Sequence, residues 1–317
     1  MKITVLDGHG LNPGDVSWSP IEELADRFVV HDRTPGDKVA ERIGDSEIVL
    51  LNKIKITGEI LRECPSLAYI GALSTGYNVI DTDACRERGV VVTNIPAYST
   101  DAVAQHVFAL LLNFTNNVQK HAESVRRGDW TRSPDFCSWI SPLAELSKKT
   151  LGIFGFGNIG RKVARIAHAF GMDVLVSVHS PSSFVGSEEA VPVAELFSRS
   201  DVVTLHAPLT GETSGLVGKT LLSRMKESAI LINTARGGLV NEADVREALD
   251  ARKIAGYAAD VLLEEPMNPA TPLADAPNCV ITPHLAWAPK ETRERLIAQE
   301  AKNIQAFLRG TPINVVN

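Results

Sequence analysis

Three side chains that could move a proton or hold a carboxylate stand close behind short apolar segments of the chain. Arg236, Glu265 and His284 each come within five residues of the end of such a segment. Arginine binds a carboxylate with two parallel hydrogen bonds, and histidine exchanges a proton with a hydroxyl oxygen. A neighbouring glutamate favours the protonated imidazole. If the apolar segments are parallel strands, their carboxyl ends bring the three residues to one edge of a sheet. The alternatives are a surface cation, a solvated acid and a loop histidine.

A glycine turn between a predicted strand, Leu151–Phe154, and a predicted helix, Asn158–Phe170, indicates where a cofactor would bind. Its spacing is Gly155-x-Gly157-x-x-Gly160. The first glycine permits a tight turn, the second lets a pyrophosphate approach the backbone, and the third lets the helix pack closely on the sheet. The helix N-terminus then offers free N–H groups to the phosphates. A purely structural glycine turn is the alternative interpretation.

The choice between NAD and NADP stays open. An NAD site usually has an acid at the end of the second strand, where it bonds the ribose 2′-hydroxyl. Here the second strand, predicted at Val174–Val178, is followed by His179 and Ser180, and Asp173 comes too early. We therefore expect no carboxylate at this strand end to repel a 2′-phosphate, while His179 and the serines could donate to one. The sequence slightly favours acceptance of NADP.

Length and composition bound the class of protein. The chain has 317 residues, 44% hydrophobic and 22% charged, with a net charge of −6. This is typical of a globular protein of about two domains. No basic run predicts nucleic acid binding, and no apolar run approaches a membrane span. The start of the chain is too short an apolar pattern for a signal peptide. Four widely spaced cysteines predict no disulfide and no metal site, and they fit a reducing cytoplasm.

Alternating strand and helix patterns predict an α/β protein with two parallel sheets. A doubly wound, Rossmann-type dinucleotide domain, residues 99–286, is inserted in a flavodoxin-like substrate domain made of residues 1–98 and 287–317. Strands of the first domain are predicted at Ile3–Leu6, Phe28–His31, Glu47–Leu51, Leu67–Ile70 and Val90–Thr93. Its predicted helices are Pro20–Arg27, Asp37–Ile43, Gly58–Cys64 and Asp81–Arg88, with a final helix at Lys290–Leu308. The second domain has six predicted strands, at Leu151–Phe154, Val174–Val178, Val202–Leu205, Ala229–Asn233, Gly256–Asp260 and Val280–Ile281.

A helix is predicted to lead from the first domain into the second, and a loop that follows it carries aromatic residues. A long helix is predicted at Ala102–Gln119, with Ser99, Thr100 and Asp101 as its cap. Residues 128–148 show no clean period and carry Trp130, Phe136 and Trp139 in a polar setting. Exposed aromatic residues would indicate a contact surface for a second subunit, and packing in the core is the alternative.

The motifs resemble those of the D-isomer-specific 2-hydroxyacid dehydrogenases over nearly the whole chain. They are Leu151–Gly160 (LGIFGFGNIG), Leu205–Thr210 (LHAPLT), Asn233–Gly237 (NTARG), Ala259–Pro266 (ADVLLEEP) and Thr282–His284 (TPH). Within that family, five further segments most resemble the glycerate dehydrogenases, which are hydroxypyruvate reductases. These are Leu6–Gly8, Asn52–Lys53, Ala72–Asn78, Asp135–Trp139 and His284–Trp287. Val178 departs from the common NAD-type pattern.

The resemblance implies a role for each candidate residue. Arg236, Glu265 and His284 correspond to the family's catalytic residues, and Ser74, Thr75 and Gly76 to its substrate-carboxylate loop. Lys53 is expected near the hydroxymethyl end of the substrate, and Trp139 is expected to reach towards a partner subunit. The implied cofactor-binding residues are Gly155, Gly157, Asn158, Ile159, Gly160, His179, Ser180, His206, Pro208, Thr234, Ala235 and Asp260.

The implied activity is NAD(P)-dependent interconversion of hydroxypyruvate, or glyoxylate, with D-glycerate or glycolate. His284 and Glu265 would form the acid–base pair, and Arg236 would bind the substrate carboxylate; a homodimer is expected. His206 and Asp260 are expected near the nicotinamide, whereas His106, His121 and His168 lie on predicted helices and are interpreted as structural or exposed. Another 2-ketoacid, as in the D-lactate and phosphoglycerate dehydrogenases, and a nicotinamide-dependent corepressor-like binding protein are the alternatives. A formate dehydrogenase is disfavoured because that branch has glutamine in place of Glu265.

Overall fold

The computed structural model describes residues 1–179 and 186–317, and it divides the chain into two compact units. The first unit consists of Met1–Ser99 and Trp287–Asn317, and the second of Thr100–Ala286. The strands of the described residues are β1 Lys2–Val5, β2 Arg27–Val30, β3 Ile48–Leu51, β4 Tyr69–Ala72, β5 Val91–Thr93, β6 Thr150–Phe154, β7 Asp173–Ser177, β8 Glu189–Ala190, β9 Val202–Leu205, β10 Ile230–Asn233, β11 Gly256–Ala259 and β12 Cys279–Ile281.

The helices lie between these strands, except for the last one, which follows β12 and belongs to the first unit. They are α1 Gly8–Leu11, α2 Ser19–Glu22, α3 Val39–Ile43, α4 Gly58–Glu63, α5 Thr82–Glu87, α6 Thr100–Asn116, α7 Val118–Arg126, α8 Asn158–Ala169, α9 Val193–Arg199, α10 Lys219–Leu222, α11 Glu242–Asp250 and α12 Lys290–Leu308, with 3₁₀ turns at Gly36–Lys38 and Gly237–Leu239. No helix in the described part of the chain is long and apolar enough to cross a membrane.

The first unit contains a five-stranded parallel sheet in the order β2-β1-β3-β4-β5. This is the flavodoxin-like order. Strand β3 is buried at every position, as expected when helices cover both faces of a parallel sheet. Buried apolar clusters lie on both faces, and the last helix, α12, contributes to one of them through Leu296, Ile297 and Ile304.

The second unit contains a seven-stranded parallel sheet in the order β12-β11-β10-β9-β6-β7-β8. Counted from β6, the first strand of this unit, this is the Rossmann order with one further strand beyond β11. The predicted α/β class with two parallel sheets is therefore confirmed. The carboxyl ends of β9, β10 and β11 lie side by side, because neighbouring residues pair in register, for example Leu205 with Asn233 and Asn233 with Ala259.

Three expectations about the elements were wrong. The long helix ends at Asn116 rather than Gln119, because Asn117 adopts a left-handed backbone with φ of 46°, and a separate helix, α7, follows it. Asparagine tolerates this conformation better than most residues. Helix α2 ends at Glu22, well short of Arg27, where β2 already begins. The second sheet has seven strands rather than six, because the two-residue exposed strand β8 pairs with β7 at its edge.

Candidate active site

The glycine turn after β6 has the geometry that its spacing predicts. Gly155 has a φ of +92°, and a Cβ there would lie 2.5 Å from the backbone nitrogen of Ala207. A Cβ at Gly160 would lie 2.5 Å from the carbonyl oxygen of Gly155, so α8 packs tightly on the turn. At Gly157 a Cβ would meet no described atom within 4 Å, and no side chain caps the helix that begins at Asn158. The N–H groups of Asn158 and Ile159 in its first turn are therefore available to an anionic ligand.

Two buried polar atoms at neighbouring strand ends have no hydrogen-bond partner among the described residues. They are Nδ1 of His206, after β9, and Oγ1 of Thr234, after β10. Nε2 of His206 lies 3.0 Å from Oγ1 of Thr204, and burial lowers the pKa of His206 to about 3, so its imidazole is neutral. Buried polar atoms are normally satisfied. These two atoms fit a site where a nicotinamide cofactor supplies the missing partners.

The neighbouring members of the predicted cofactor set line the same strand ends. Pro208 is exposed in the loop after β9. Ala235, after β10, is partly exposed, and its N–H donates to Oδ1 of Asn233 at 3.1 Å. Both positions follow strands whose carboxyl ends face the glycine turn, as a dinucleotide site requires.

The end of β7 differs from the expectation in one respect. His179 is 88% exposed, and its Nδ1 lies 3.5 Å from Oε2 of Glu212. Glu212 belongs to the loop after β9, so a carboxylate from another segment lies beside this strand end. The residues directly after β7, Val178 and His179, carry no acid, as the sequence predicts, and Glu212 is a neighbour that the sequence did not indicate. Ser180, the other predicted residue of this region, lies outside the described residues.

Glu265 and His284 are brought together by the structure. Nδ1 of His284 lies 2.6 Å from Oε2 of Glu265, and Oε1 of Glu265 accepts the N–H of Leu262 at 3.0 Å. Both side chains remain about one third exposed. The glutamate occupies Nδ1, so Nε2 is the ring nitrogen that remains for an external proton acceptor. The structure thus holds together a carboxylate and an imidazole that are 19 residues apart in the sequence.

Arg236 lies at the end of β10, and its side chain is exposed. Its Nη1 donates to the carbonyl oxygen of Ala235 at 2.7 Å, and the structure shows no hydrogen bond from it to Glu265 or His284. The next residue, Gly237, packs against the loop that leads to Glu265: a Cβ there would lie 1.9 Å from the carbonyl carbon of Leu262. This contact between loops requires glycine and sets the arginine beside the glutamate-bearing loop, with its guanidinium able to bind an anion.

Asp260 is almost fully buried, at 1% exposure, and its carboxylate binds the segment that carries His284. Oδ1 accepts the N–H of Leu285 and Oδ2 that of Ala286, both at 2.9 Å, and Oδ1 also accepts the hydroxyl of Thr282 at 2.6 Å. The sequence predicts Asp260 in contact with the cofactor. The hydrogen bonds that the structure gives its carboxylate are with the histidine segment.

His106 on α6 makes contacts that its position in the sequence does not indicate. The sequence predicts a structural or exposed residue, and in the structure its Nε2 lies 3.0 Å from Oγ1 of Thr282 and 3.5 Å from Oδ1 of Asp260. Helical spacing could not identify it, because its partners are more than 150 residues away in the sequence. His121 and His168 are different: the first bonds the backbone of Asn117, and the second is half exposed.

The predicted substrate loop follows β4 in the first unit. Oγ of Ser74 donates to the carbonyl oxygen of Gly76 at 2.5 Å, and Oγ1 of Thr75 donates to that of Ile95 at 3.0 Å. Nδ2 of Asn94 binds the carbonyl oxygen of Thr75 at 2.7 Å. The N–H groups of Thr75 and Gly76 have no acceptor within this unit, all of whose residues are described. The N–H of Ser74 donates to the carbonyl oxygen of Ala72 at 2.7 Å, so the loop is fixed while the N–H groups of Thr75 and Gly76 stay available.

Lys53 is exposed after β3, and its backbone is anchored. Its N–H donates to Oδ2 of Asp7 at 2.6 Å, and the N–H of Asn52 donates to Oδ1 at 2.8 Å. Burial raises the pKa of Asp7, although these two hydrogen bonds act in the opposite direction. The ends of β1 and β3 are joined in this way, and the ammonium group of Lys53 is left to the surface.

The segment between α7 and β6 exposes a group of large apolar side chains. Their exposed fractions range from 50% to 90% in the described structure, so packing in the core of the same chain is excluded for them. The group consists of Trp130, Phe136, Trp139, Ile140 and Leu143. The described residues contain no cluster of His, Cys, Asp and Glu side chains that could hold a metal ion.

The fold and the glycine turn are those of a two-unit, dinucleotide-dependent oxidoreductase, and His284 and Glu265 are in contact in its second unit. A family model described as "D-isomer specific 2-hydroxyacid dehydrogenase, NAD binding domain" matches residues 108–286. The chain is 44% identical to a hydroxypyruvate reductase of Blautia hydrogenotrophica over all of both chains. It is 40% identical to a glycerate dehydrogenase of Methylorubrum extorquens over 88% of each chain. The chain belongs to the D-isomer-specific 2-hydroxyacid dehydrogenase family, as its motifs predict.

A solved structure of a relative with a different named activity also has this fold. It is an acyclic imino acid reductase in complex with NADPH and D-Arg, with a TM-score of 0.85, 33% sequence identity and full coverage of both chains. The fold therefore occurs in a protein whose structure was solved in complex with NADPH.

Proposed function

We propose that this protein is a hydroxypyruvate reductase that also accepts glyoxylate. The observation that carries the proposal is the 2.6 Å contact between His284 and Glu265 at the strand ends of an NAD-binding domain. Its relatives named hydroxypyruvate reductase and glycerate dehydrogenase, at 44% and 40% identity, support the choice of substrate. The reaction takes hydroxypyruvate, NAD(P)H and a proton to D-glycerate and NAD(P)⁺.

Each candidate residue has a role in this reaction. Arg236 and the N–H groups of the Ser74–Gly76 loop bind the substrate carboxylate, and Lys53 binds near the hydroxymethyl end. The cofactor, when bound, supplies the hydride that C2 receives. His284 gives the proton on Nε2 to the carbonyl oxygen as the new C–H bond forms, and Glu265 stabilises the resulting charge distribution and holds the ring in place. In the reverse direction the neutral imidazole takes that proton back.

The residues present fit a nicotinamide dinucleotide. The glycine turn Gly155–Gly160 and the first turn of α8 would hold the pyrophosphate, and the unpartnered atoms of His206 and Thr234 would bond the nicotinamide end. Pro208, Ala235 and the buried Asp260 would shape that end of the site. We propose that both NADH and NADPH are used.

The first test is hydroxypyruvate-dependent oxidation of NADH and NADPH, followed side by side at the nicotinamide absorbance. Turnover with either cofactor supports the reductase. If turnover appears only with pyruvate, a branched 2-ketoacid or phosphohydroxypyruvate, the proposed substrate is wrong but the proposed class of enzyme still holds. Reduction of an imine formed from a ketoacid and an amine, without reduction of hydroxypyruvate, would favour the activity named for the imino acid reductase. Cofactor binding with no turnover would favour the binding-protein alternative, which a pull-down with and without nucleotide then tests.

Cofactor choice gives a prediction at the end of β7. The variant Val178→Asp places a carboxylate beside His179, where it should repel a 2′-phosphate and accept a hydroxyl of the unphosphorylated ribose. We expect the ratio of kcat/KM for NADH to that for NADPH to rise by about tenfold, which corresponds to about 1.4 kcal/mol. The variant Glu212→Gln, which removes the acid opposite His179, should move the ratio the other way. An unchanged ratio in both variants would exclude this strand end from cofactor choice.

The exposed apolar group of the segment between α7 and β6 supports a homodimer, with Trp139 reaching towards the partner subunit. Single exposed apolar residues are ordinary on a protein surface, but five large ones in one segment indicate a covered face. Replacing Phe136 and Trp139 by serine should lower the sedimentation coefficient from that of a dimer to that of a monomer. A wild-type protein that sediments as a monomer would contradict the proposal. The four cysteines are free thiols, which supports a cytoplasmic location.

A further inference from the structure

We infer that His106 is a positioning residue for His284 and acts through Thr282 and Asp260. The inference rests on the proposed function and deepens it, because His284 is the proposed proton donor. All four residues belong to the second unit. The link joins helix α6 to the loop that follows β12.

The backbone around His284 is held by hydrogen bonds on both sides of the residue. Its own N–H donates to the carbonyl oxygen of Thr282 at 2.9 Å, and its φ is +51°, in the left-handed region. The next two N–H groups, of Leu285 and Ala286, are accepted by the two oxygens of Asp260. A non-glycine residue in this conformation persists only when its surroundings fix it. The direction of the imidazole therefore depends on where the Asp260 carboxylate is held.

The hydrogen-bond donors around Asp260 assign a proton to His106. The Thr282 hydroxyl has one proton, and it points to Oδ1 of Asp260 at 2.6 Å. At its other contact, 3.0 Å from Nε2 of His106, the hydroxyl oxygen must then accept, so Nε2 carries a hydrogen. Burial lowers the pKa of His106 although Asp260 acts in the opposite direction, and the ring is neutral with its proton on Nε2. His106 thereby fixes which way the hydroxyl proton points.

The hydroxyl of Thr282 has a second possible acceptor, and the N–H of His106 keeps the hydroxyl from turning towards it. The carbonyl oxygen of Ala259 lies 3.5 Å from the same Oγ1. Without the N–H of His106, the hydroxyl is free to turn towards that carbonyl, and Asp260 then loses one of its donors. Helix α6 packs against β10 and β11, so the histidine is presented by a rigid element. A rigid second layer of this kind keeps a reacting side chain in productive geometry.

Four variants separate positioning from general loss of structure. His106→Leu and Thr282→Val remove a link in the chain of hydrogen bonds, whereas His106→Gln keeps an N–H donor of similar reach. His168→Leu is the matched control, because His168 is a half-exposed helical histidine far along the chain. We expect kcat with hydroxypyruvate to fall by about 10–100-fold in the first two variants, with KM within about threefold of wild type. His106→Gln should recover kcat to within about fivefold, and the control should match wild type.

Hydrogen exchange at the amides of Leu285 and Ala286 tests the same link without turnover. Exchange there should be at least tenfold faster in His106→Leu and Thr282→Val than in wild type, His106→Gln or His168→Leu. If wild type reduces no ketoacid but the exchange differences appear, the proposed function fails and the positioning link stands. Unchanged exchange in both link variants overturns the inference, whether kcat falls or not, since a fall in kcat would then arise without any loosening of the segment that carries His284.

Discussion

The segment that carries His284 and the loop Ser74–Gly76 are both strand-end loops, but they are fixed from opposite sides of the backbone. In the histidine segment a buried acceptor, Asp260, holds two N–H groups. In the substrate loop, donors hold the carbonyl groups: Asn94 binds the carbonyl oxygen of Thr75, and Ser74 binds that of Gly76. In the first arrangement the N–H groups are occupied by hydrogen bonds, and the backbone so fixed directs the side chain of His284. The second leaves the N–H groups of Thr75 and Gly76 free to bind an anion.

The difference matches what each loop has to do in the proposed reaction. A proton donor must point its side chain in one fixed direction. Hydrogen bonds to a buried carboxylate hold the backbone that carries it. A carboxylate-binding loop must present its own N–H groups, so its carbonyl groups are occupied instead. The comparison predicts that damage to the histidine segment lowers kcat, whereas damage to the substrate loop raises KM.

The largest effect is expected from His284→Ala. Loss of a general acid typically lowers turnover by about 10²–10⁴-fold, and kcat with hydroxypyruvate at saturating cofactor measures it. KM should change far less, because Arg236 and the loop N–H groups are proposed to hold the carboxylate. His168→Ala, at the half-exposed histidine of α8, is the control. Turnover within twofold of wild type would remove His284 from the mechanism.

The neighbouring acids Glu265 and Glu264 allow a matched pair of substitutions that tests the contact with His284. Glu265→Gln loses the charge beside Nδ1 of His284 and should lower kcat by about 10–100-fold. Glu264→Gln changes the preceding residue, whose carboxylate binds the side chain of Asn268 in an exposed loop, and should leave kcat unchanged. Equal effects of the two substitutions would show that net charge, rather than the contact with His284, governs turnover.

A smaller effect of the other kind is expected from Asn94→Ala. This substitution frees the carbonyl oxygen of Thr75, and the loop should then lose the fixed presentation of its N–H groups. We expect KM for hydroxypyruvate to rise by about 3–30-fold, the equivalent of one hydrogen bond of about 0.5–2 kcal/mol, while kcat stays within twofold. Asn116→Ala, at the exposed end of α6, is the matched control. A fall in kcat with constant KM would contradict the proposed division of labour.

Much of this arrangement could be predicted from the sequence because it depends on local pattern. Buried parallel strands have continuous apolar runs, and glycine spacing specifies a turn, so every predicted strand is present with its ends displaced by no more than two residues. Strand-end residues such as Glu265 and His284 then fall on one edge once the sheet is parallel. Strand β8 was missed because two exposed residues, Glu189 and Ala190, have no period to detect.

The rest depends on contacts between distant parts of the chain, for which a single sequence has no local pattern. His106 occupies an ordinary helical position, and only the fold shows that its ring reaches Thr282. Glu212 lies in the loop after β9, yet its carboxylate lies 3.5 Å from Nδ1 of His179 at the end of β7. Glu300 likewise reads as one more polar residue of α12, although it is fully buried. Such residues become visible only when strand order and loop paths are known.

Substitution of Glu300 is expected to have the smallest effect on activity. It tests the buried hydrogen bonds that support the substrate loop. Oε1 of this carboxyl group lies 2.9 Å from the hydroxyl of Tyr69, and Oε2 lies 3.1 Å from Nδ2 of Asn303, which also donates to the carbonyl oxygen of Asn94. Burial raises the pKa of Glu300 to about 8 from its ordinary value of 4.5, so the group is protonated at neutral pH. The buried carboxyl group behind the substrate loop is thus uncharged at neutral pH.

The sign of the pH effect follows from that raised pKa. The folded protein holds the proton more tightly than the unfolded chain, so the stabilisation is complete below pH 4.5 and is lost as the pH rises towards 8. Over this range the free energy of unfolding should fall by up to about 1.4 kcal/mol per pH unit because of this group. Glu300→Gln, which imitates the protonated carboxyl, should remove the slope and leave KM nearly unchanged. Urea unfolding at pH 5.5, 7 and 8.5 measures it, with Glu294→Gln on the exposed side of α12 as control. A slope that persists in Glu300→Gln would place the titrating group elsewhere.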